Sequence, residues 1–468
     1  MTTRTSTFVL FVSFLTAIGL LVGPACGGDD NEVCVIGAVD ACEAGLVCEE
    51  VVGGMPACFA PIELRGRVFD ASTDVGIADA TIVALDVNGA ARSDVARSGI
   101  DGTYSLPIAV PRAEDGTFNS ESIKLRVDAD GYQTFPTAPR SALPIEVSES
   151  AAVDIEGVRV IMTATTDVAL IGLPAGGGGG RIEGFIMHPD PSGVLVVADQ
   201  GGNAISTAIS DRGGNFILFN VPAGTTQVEG YRAGINIAPA TVEASGVLDT
   251  VSLVGTSDGL GTVTGSVNIV NAPGGLLTSV ILVVDSTFDE TAIRGEAPAG
   301  LRAEMVSSAF SIEGVPPGRY AVLAAFENDQ LVRDPDESIA GTDIVRIDVA
   351  GDLDIADSFK VTEALAVVSP GADTIEVITG DPTFVWADDS SEDGYELRVY
   401  DSFGEIVHEN TMIPGVSGSS DVSYTWTGAA LEVGLVYQFR AWSFREPPSG
   451  TRTFISATED LRGVFAVE

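Results

Sequence analysis

The sequence predicts an all-β chain: tandem Greek-key β-sandwiches that follow a small disulfide-rich segment. Three observations carry this. Apolar and polar residues alternate with a period of two in many short stretches, while long 3.6-residue periodicity is nearly absent. Fifty-four Gly and 23 Pro punctuate the chain, which suits many turns between short strands. All five cysteines precede residue 59, so cross-links belong to one end only. With 468 residues, of which 45% are hydrophobic, there is material for several cores of roughly 100 residues each. Disorder throughout is excluded, because disorder needs low hydrophobicity as well as charge.

The charge balance narrows the partners. Against 24 Lys plus Arg stand 66 Asp plus Glu, a formal net charge of −42. Such a field repels nucleic acid, and no nucleic-acid partner is expected.

Residues 1–25 read as a signal peptide: Arg4 supplies the positive start and Phe8–Val22 an uncharged apolar run. That run is short of the roughly 20 residues a spanning helix needs. Val22-Gly-Pro-Ala-Cys26 resembles the bacterial lipoprotein signal, with Gly23 where that family usually carries an aliphatic residue. The resemblance implies lipidation of Cys26, a polar tether over 26–32, and a membrane partner reached through the lipid. Gly27 after the cysteine implies an outer-membrane or cell-surface address.

Four cysteines then remain in residues 33–61: Cys34, Cys42, Cys48 and Cys58. An even set in an exported segment predicts two disulfides, with three connectivities open. Zinc is disfavoured, because no Cys-x-x-Cys pair exists and no His is near. So short a segment buries little core, and cross-links take its place.

From residue 62 the strands follow one another. Tyr104, Leu106, Ile108 and Val110 alternate after a turn at Asp101-Gly102, and Ile123-Lys-Leu-Arg-Val127 reads as a strand with one buried and one charged face. A weak repeat recurs. Its first copy has Gly66-Arg-Val68, Asp101-Gly-Thr-Tyr104 and Gly131-Tyr132; its second has Gly184-Phe-Ile186, Asn215-Phe216 and Val221-Pro-Ala-Gly224; its third has Gly265-Ser-Val267, Phe310-Ser-Ile312 and Val315-Pro-Pro-Gly318. Glycine in the first strand permits a close crossing or bulge. These residues resemble the carboxypeptidase regulatory-like domain, whose fold is a transthyretin-like sandwich, in three copies over 62–171, 182–256 and 262–360. Lys occurs only at 124 and 360, outside the first strands, so the Lys–Asn links of related surface adhesins are not expected.

The last segment differs. Pro382-Thr-Phe384-Val-Trp386, Tyr395-Glu-Leu397-Arg-Val399 and Leu431-x-x-Gly434-x-x-Tyr437-x-Phe439 resemble the Trp strand and tyrosine corner of a fibronectin type III, immunoglobulin-like sandwich over 364–468. The Gly-rich stretch 172–181, with its run Gly176–Gly180, reads as a flexible linker, and Val361–Ala366 leaves little room for a hinge.

Catalytic chemistry finds little purchase. The two histidines, His188 and His408, fall in different modules and read as loop residues. No Gly-x-Ser-x-Gly elbow or His-Glu-x-x-His helix is present. Two candidate sites stand out. Asp388, Asp389, Glu392 and Asp393 cluster in one loop and could offer oxygens to Ca²⁺, with Asp334, Asp336 and Glu337 as a poorer second group. Trp442 and Phe444 have the opposite strand parity to Tyr437 and Phe439, so they are expected to face outward as a platform for an extracellular glycan or protein. The expected function is a non-catalytic surface scaffold, its modules in line if rigid. A glycan- or protein-binding module and a secreted hydrolase are the alternatives.

Overall fold

Alternation of side chains across the pleat decides nearly every element. The computed structural model describes residues 34–36, 41–43, 45–113, 115–174, 178–270, 277–290, 294–326, 344–356, 358–389, 392–416, 421–446 and 452–468, and shows 36 strands with two single-turn 3-10 segments. Strand Thr103–Ile108 buries every second residue. Its apolar face packs against Thr81–Leu85 and Glu121–Asp128 across the first sandwich, whose core includes Leu64, Ile82, Leu106 and Val127. Cys26 and the trio Asp334, Asp336 and Glu337 lie outside the described residues.

One pattern repeats from sandwich to sandwich. The opening strand Ile62–Asp70 runs antiparallel to Thr103–Ile108 and parallel to Val158–Ile161 and Val168–Leu170. Gly180–Met187 lies likewise between Asn215–Val221 and the parallel Leu248–Thr256. Gly261–Val270 sits between Ala309–Val315 and the parallel Phe359–Thr362. In each case the glycine of the sequence repeat faces the aromatic of the next strand: Gly66 opposite Tyr104, Gly184 opposite Phe216, Gly265 opposite Phe310. A Cβ on Gly184 would strike the Phe216 ring and one on Gly265 would come within 2.7 Å of Phe310, whereas one on Gly66 would strike the Thr166 carbonyl, which accepts from the Tyr104 hydroxyl at 2.6 Å. The terminal sandwich repeats the pairing with Gly394 opposite Phe444. Gly184 and Gly265 therefore make room for rings, and Gly66 for a carbonyl that the ring's hydroxyl holds.

The sheets differ in detail. The first and third sandwiches each have two sheets, whereas the second is one continuous eight-stranded sheet that Ile235–Ile237 ties together by pairing with both Gly224–Arg232 and Leu248–Thr256. In the terminal unit a three-stranded sheet through Thr383–Trp386 faces a six-stranded one through Val436–Arg445. Phe384, Trp386, Tyr395 and Phe439 fill the space between them.

The in-line arrangement expected of rigid modules is not what forms. One apolar cluster joins Val83 of the first sandwich, Leu195, Val197 and Tyr231 of the second, and Val280, Leu282 and Tyr320 of the third. The expected glycine hinge is also shorter than its sequence suggests. Gly179 and Gly180 lie against the backbones of Val221 and Val247 with no room for a Cβ, and Gly180 opens a strand. Close approach, rather than flexibility, accounts for those two glycines. The connector before the terminal unit is tight: Leu365 donates its amide to Ala457 at 2.8 Å, directly after Val361 enters the third core.

At the N-terminal end the disulfides are Cys34–Cys48 and Cys42–Cys58. The small hairpin Val47–Glu49 with Ala57–Phe59 carries them. It docks on the first sandwich through Glu49, almost wholly buried, which accepts from Arg112 Nε at 2.5 Å and from the Val110 amide at 3.2 Å. Burial lifts the Glu49 carboxyl despite that guanidinium.

Candidate functional site

The alternation in Ile123-Lys-Leu-Arg-Val127 makes a strand, as expected, but its charged face is not turned to water. Ile123, Leu125 and Val127 enter the first core, while Arg126 is buried on the other side and Lys124 is partly buried. Arg126 donates to Asp128 of its own strand, to Glu296 of the third sandwich at 2.5 Å, and to the Thr207 carbonyl and hydroxyl of the second at 3.0 and 2.8 Å. Burial opposes its charge, and Asp128 and Glu296 more than offset this, raising its pKa further. Lys124 pairs with Asp460 of the terminal unit, which also receives Arg440. Arg140 reaches the same unit, donating to the Phe403 carbonyl at 2.6 Å and pairing with Glu405 at 2.8 Å. Side chains of one sandwich thus hold the other three.

Where these surfaces meet they leave a cavity of about 360 Å³. Its walls come from the first sandwich (Asn88, Phe135, Pro136), the third (Ile281, Val283, Leu323) and the polar rim named above. The turn Asp86–Gly89 delivers Asn88: Asp86 caps the turn by accepting from the Asn88 amide at 2.9 Å, and Arg302 of the third sandwich pairs with Asp86. Asn88 is 8% exposed, and neither its Nδ2 nor its Oδ1 has a hydrogen-bond partner. Arg294 enters from the third sandwich. Among the described residues its guanidinium donates to the Arg140 carbonyl at 3.3 Å and the Ser141 hydroxyl at 3.4 Å.

The sites expected from sequence behave otherwise. Among the described residues the acidic loop brings no three of its carboxylates within reach of one ion. Asp388 accepts from the Tyr395 hydroxyl at 2.7 Å, Asp389 from the Ser443 hydroxyl at 2.7 Å, and Asp393 from the Glu446 amide at 2.8 Å. Each carboxylate takes a donor from a different residue, two hydroxyls and one amide. Among the described residues the one set of three potential ligands within reach of a single ion is Cys34, Cys42 and Cys58, all in disulfides. Glu392 is the exception in character: burial, with Asp388 and Asp389 alongside, lifts its carboxyl to about 7.

The aromatic platform is overturned. Phe444 is 4% exposed, lies over Gly394, and is capped by the Arg452 guanidinium at 3.7 Å. Trp442 is half-buried beneath Arg398 and Arg440, at 5.1 and 5.7 Å. Parity put both on the outer face correctly, but arginines cover that face. Nor is His408 a loop residue. It sits in strand Ile406–Pro414, with Nε2 2.9 Å from the Tyr424 hydroxyl and its ring 4.8 Å from that of Trp426. Burial lowers its pKa. His188 does lie beyond a strand end, its Nδ1 accepting from the Asp190 amide at 3.1 Å.

Sequence reasoning missed Asn88, Arg126 and Arg294. A signal was present for Arg126: a cation in mid-strand, between apolar neighbours, in a chain with few cations. Asn88 and Arg294 carry no such mark.

No family model matches the chain, and no curated protein matches it in sequence. Solved structures overlap it in part. A streptococcal ancillary pilin is 10% identical, covering 64% of this chain and 97% of its own, with a TM-score of 0.16. BcpA, the major pilin subunit of Bacillus cereus, is 9% identical over 64% of this chain and 99% of its own, at 0.18. A chlorocatechol 1,2-dioxygenase from Pseudomonas putida is 15% identical over 30% and 72%, at 0.15. Overlaps at such scores carry no argument about activity. Among the described residues no helix is long and apolar enough to cross a membrane.

Proposed function

We propose that the protein is an exported, lipid-anchored, non-catalytic surface scaffold. In this reading three carboxypeptidase regulatory-like sandwiches and one fibronectin type III-like sandwich form a single head, joined to the membrane by a tether from Cys26. The observation that supports it most is the Arg126 node: one buried guanidinium bonds three sandwiches at once. The acidic surface, at a net −42, keeps such a head soluble among other anionic surfaces.

Two measurements test this. Cys26→Ser should release the protein from membranes and abolish fatty-acid labelling; membrane retention of the variant would remove the lipid anchor. Small-angle scattering of the soluble variant should give a radius of gyration of about 22 Å for its folded part. A much larger value, as for beads on a string, would remove the single head.

A further inference from the structure

The cavity between the sandwiches holds one side chain without a hydrogen-bond partner and one cation without a carboxylate partner among the described residues. Buried amides nearly always find partners, and one that does not destabilises the fold. Asn88 is more than nine-tenths buried and has none for either side-chain atom. Arg294 lines the same cavity, and no carboxylate lies within ion-pairing distance of it among the described residues. The other two cations on the wall are matched, Lys124 by Asp460 and Arg126 by Asp128 and Glu296. Arg294 is the odd one out. Burial without a counter-charge pulls its pKa down. A guanidinium withdrawn from water calls for an anion, and its planar fork fits a carboxylate in two parallel hydrogen bonds. Between the polar groups the surface is apolar: Phe135, Pro136, Ile281, Val283 and Leu323. A volume of about 360 Å³ lies at the small end of ligand pockets.

We propose that this cavity binds a small organic carboxylate with an apolar body, whose carboxylate meets Arg294 and whose second polar group meets Asn88. Such a ligand would touch sandwiches far apart in sequence and would therefore brace the junction. The proposal is independent of the lipid anchor but rests on the packing of the sandwiches into one head, because the cavity lies between them; scattering tests that packing, and titration tests the wall chemistry.

Calorimetric titration of the full-length protein with 4-hydroxybenzoate and 4-hydroxyphenylpropionate tests it, with benzamide and inorganic phosphate as comparators. At least one hydroxyaryl carboxylate should bind saturably at one site per chain and raise the melting temperature. Arg294→Gln and Asn88→Leu should each weaken that binding by about tenfold or more, the loss expected for a charge-assisted or buried hydrogen bond. Thr137→Trp obstructs the cavity from an exposed rim position and should abolish binding without lowering the melting temperature of the unliganded protein. Absence of saturable binding by both carboxylates overturns the proposal. So does equal binding of benzamide or phosphate, or full affinity in Thr137→Trp.

Discussion

Two junctions of this molecule differ in how much charge they carry. The second and third sandwiches, adjacent in sequence, meet through apolar surface. Tyr231 and Tyr320 contact edge to face at 5.8 Å, and the Gly234 amide donates to the Gly314 carbonyl at 2.8 Å. The first and terminal sandwiches, far apart in sequence, share one edge-to-face contact, Phe69 with Phe403 at 5.7 Å, and add charge to it: Lys124 on Asp460, which Arg440 of its own sandwich also reaches, and Arg140 on Glu405 and the Phe403 carbonyl. The difference teaches where specificity resides. Apolar contact tolerates small shifts of packing, whereas a buried ion pair with one partner removed leaves an uncompensated charge. The distant junction is therefore the more brittle one.

Four measurements can break or sharpen that contrast. The largest effect belongs to Arg126→Ala, which strands Asp128 and Glu296; it should cost about 3–5 kcal/mol in urea unfolding. A loss near zero would mean that the node is solvated. Asp460→Ala comes next, at about 3 kcal/mol, since two cations lose one carboxylate. It should also speed proteolytic release of the terminal sandwich, which no change at the apolar junction should do. Tyr231→Leu should cost about 2 kcal/mol, the scale of one aromatic edge contact with one hydroxyl-to-carboxylate hydrogen bond, and should leave the terminal sandwich equally protected.

The smallest effect is a pH dependence away from both junctions. The folded state holds Glu392 protonated up to about 7, against 4.5 when exposed. That contribution is complete below pH 4.5, declines as pH rises towards 7, and is gone above it. Melting of the protein should lose a matching increment across that window, and Glu392→Gln should flatten it. Millimolar Ca²⁺ should leave the melt unchanged, because Asp388, Asp389 and Asp393 already accept from Tyr395, Ser443 and the Glu446 amide.

Much of the fold was legible in single stretches. Two-residue alternation located strands such as Thr103–Ile108, and the recurring Gly and aromatic pair marked equivalent strands in successive sandwiches, although its reason, a close approach that leaves no room for a Cβ, emerged only from the packing. Alternation also assigned Trp442 and Phe444 to the outer face. It could not say that Arg398, Arg440 and Arg452 cover them, because covering depends on neighbouring strands and loops. The same limit hid the cavity, whose Asn88 and Arg294 stand two hundred residues apart in the chain.

By itself the sequence determined an all-β architecture, the position of its cysteines and which side chains share a strand face, because those follow from local geometry and a period of two. Only the tertiary structure decided which polar faces stay in water. Lys124 and Arg126 look like solvated residues until Asp460, Glu296 and Thr207 arrive from other sandwiches. Burial of charge is a property of what lies opposite, and no stretch of chain carries its own opposite side.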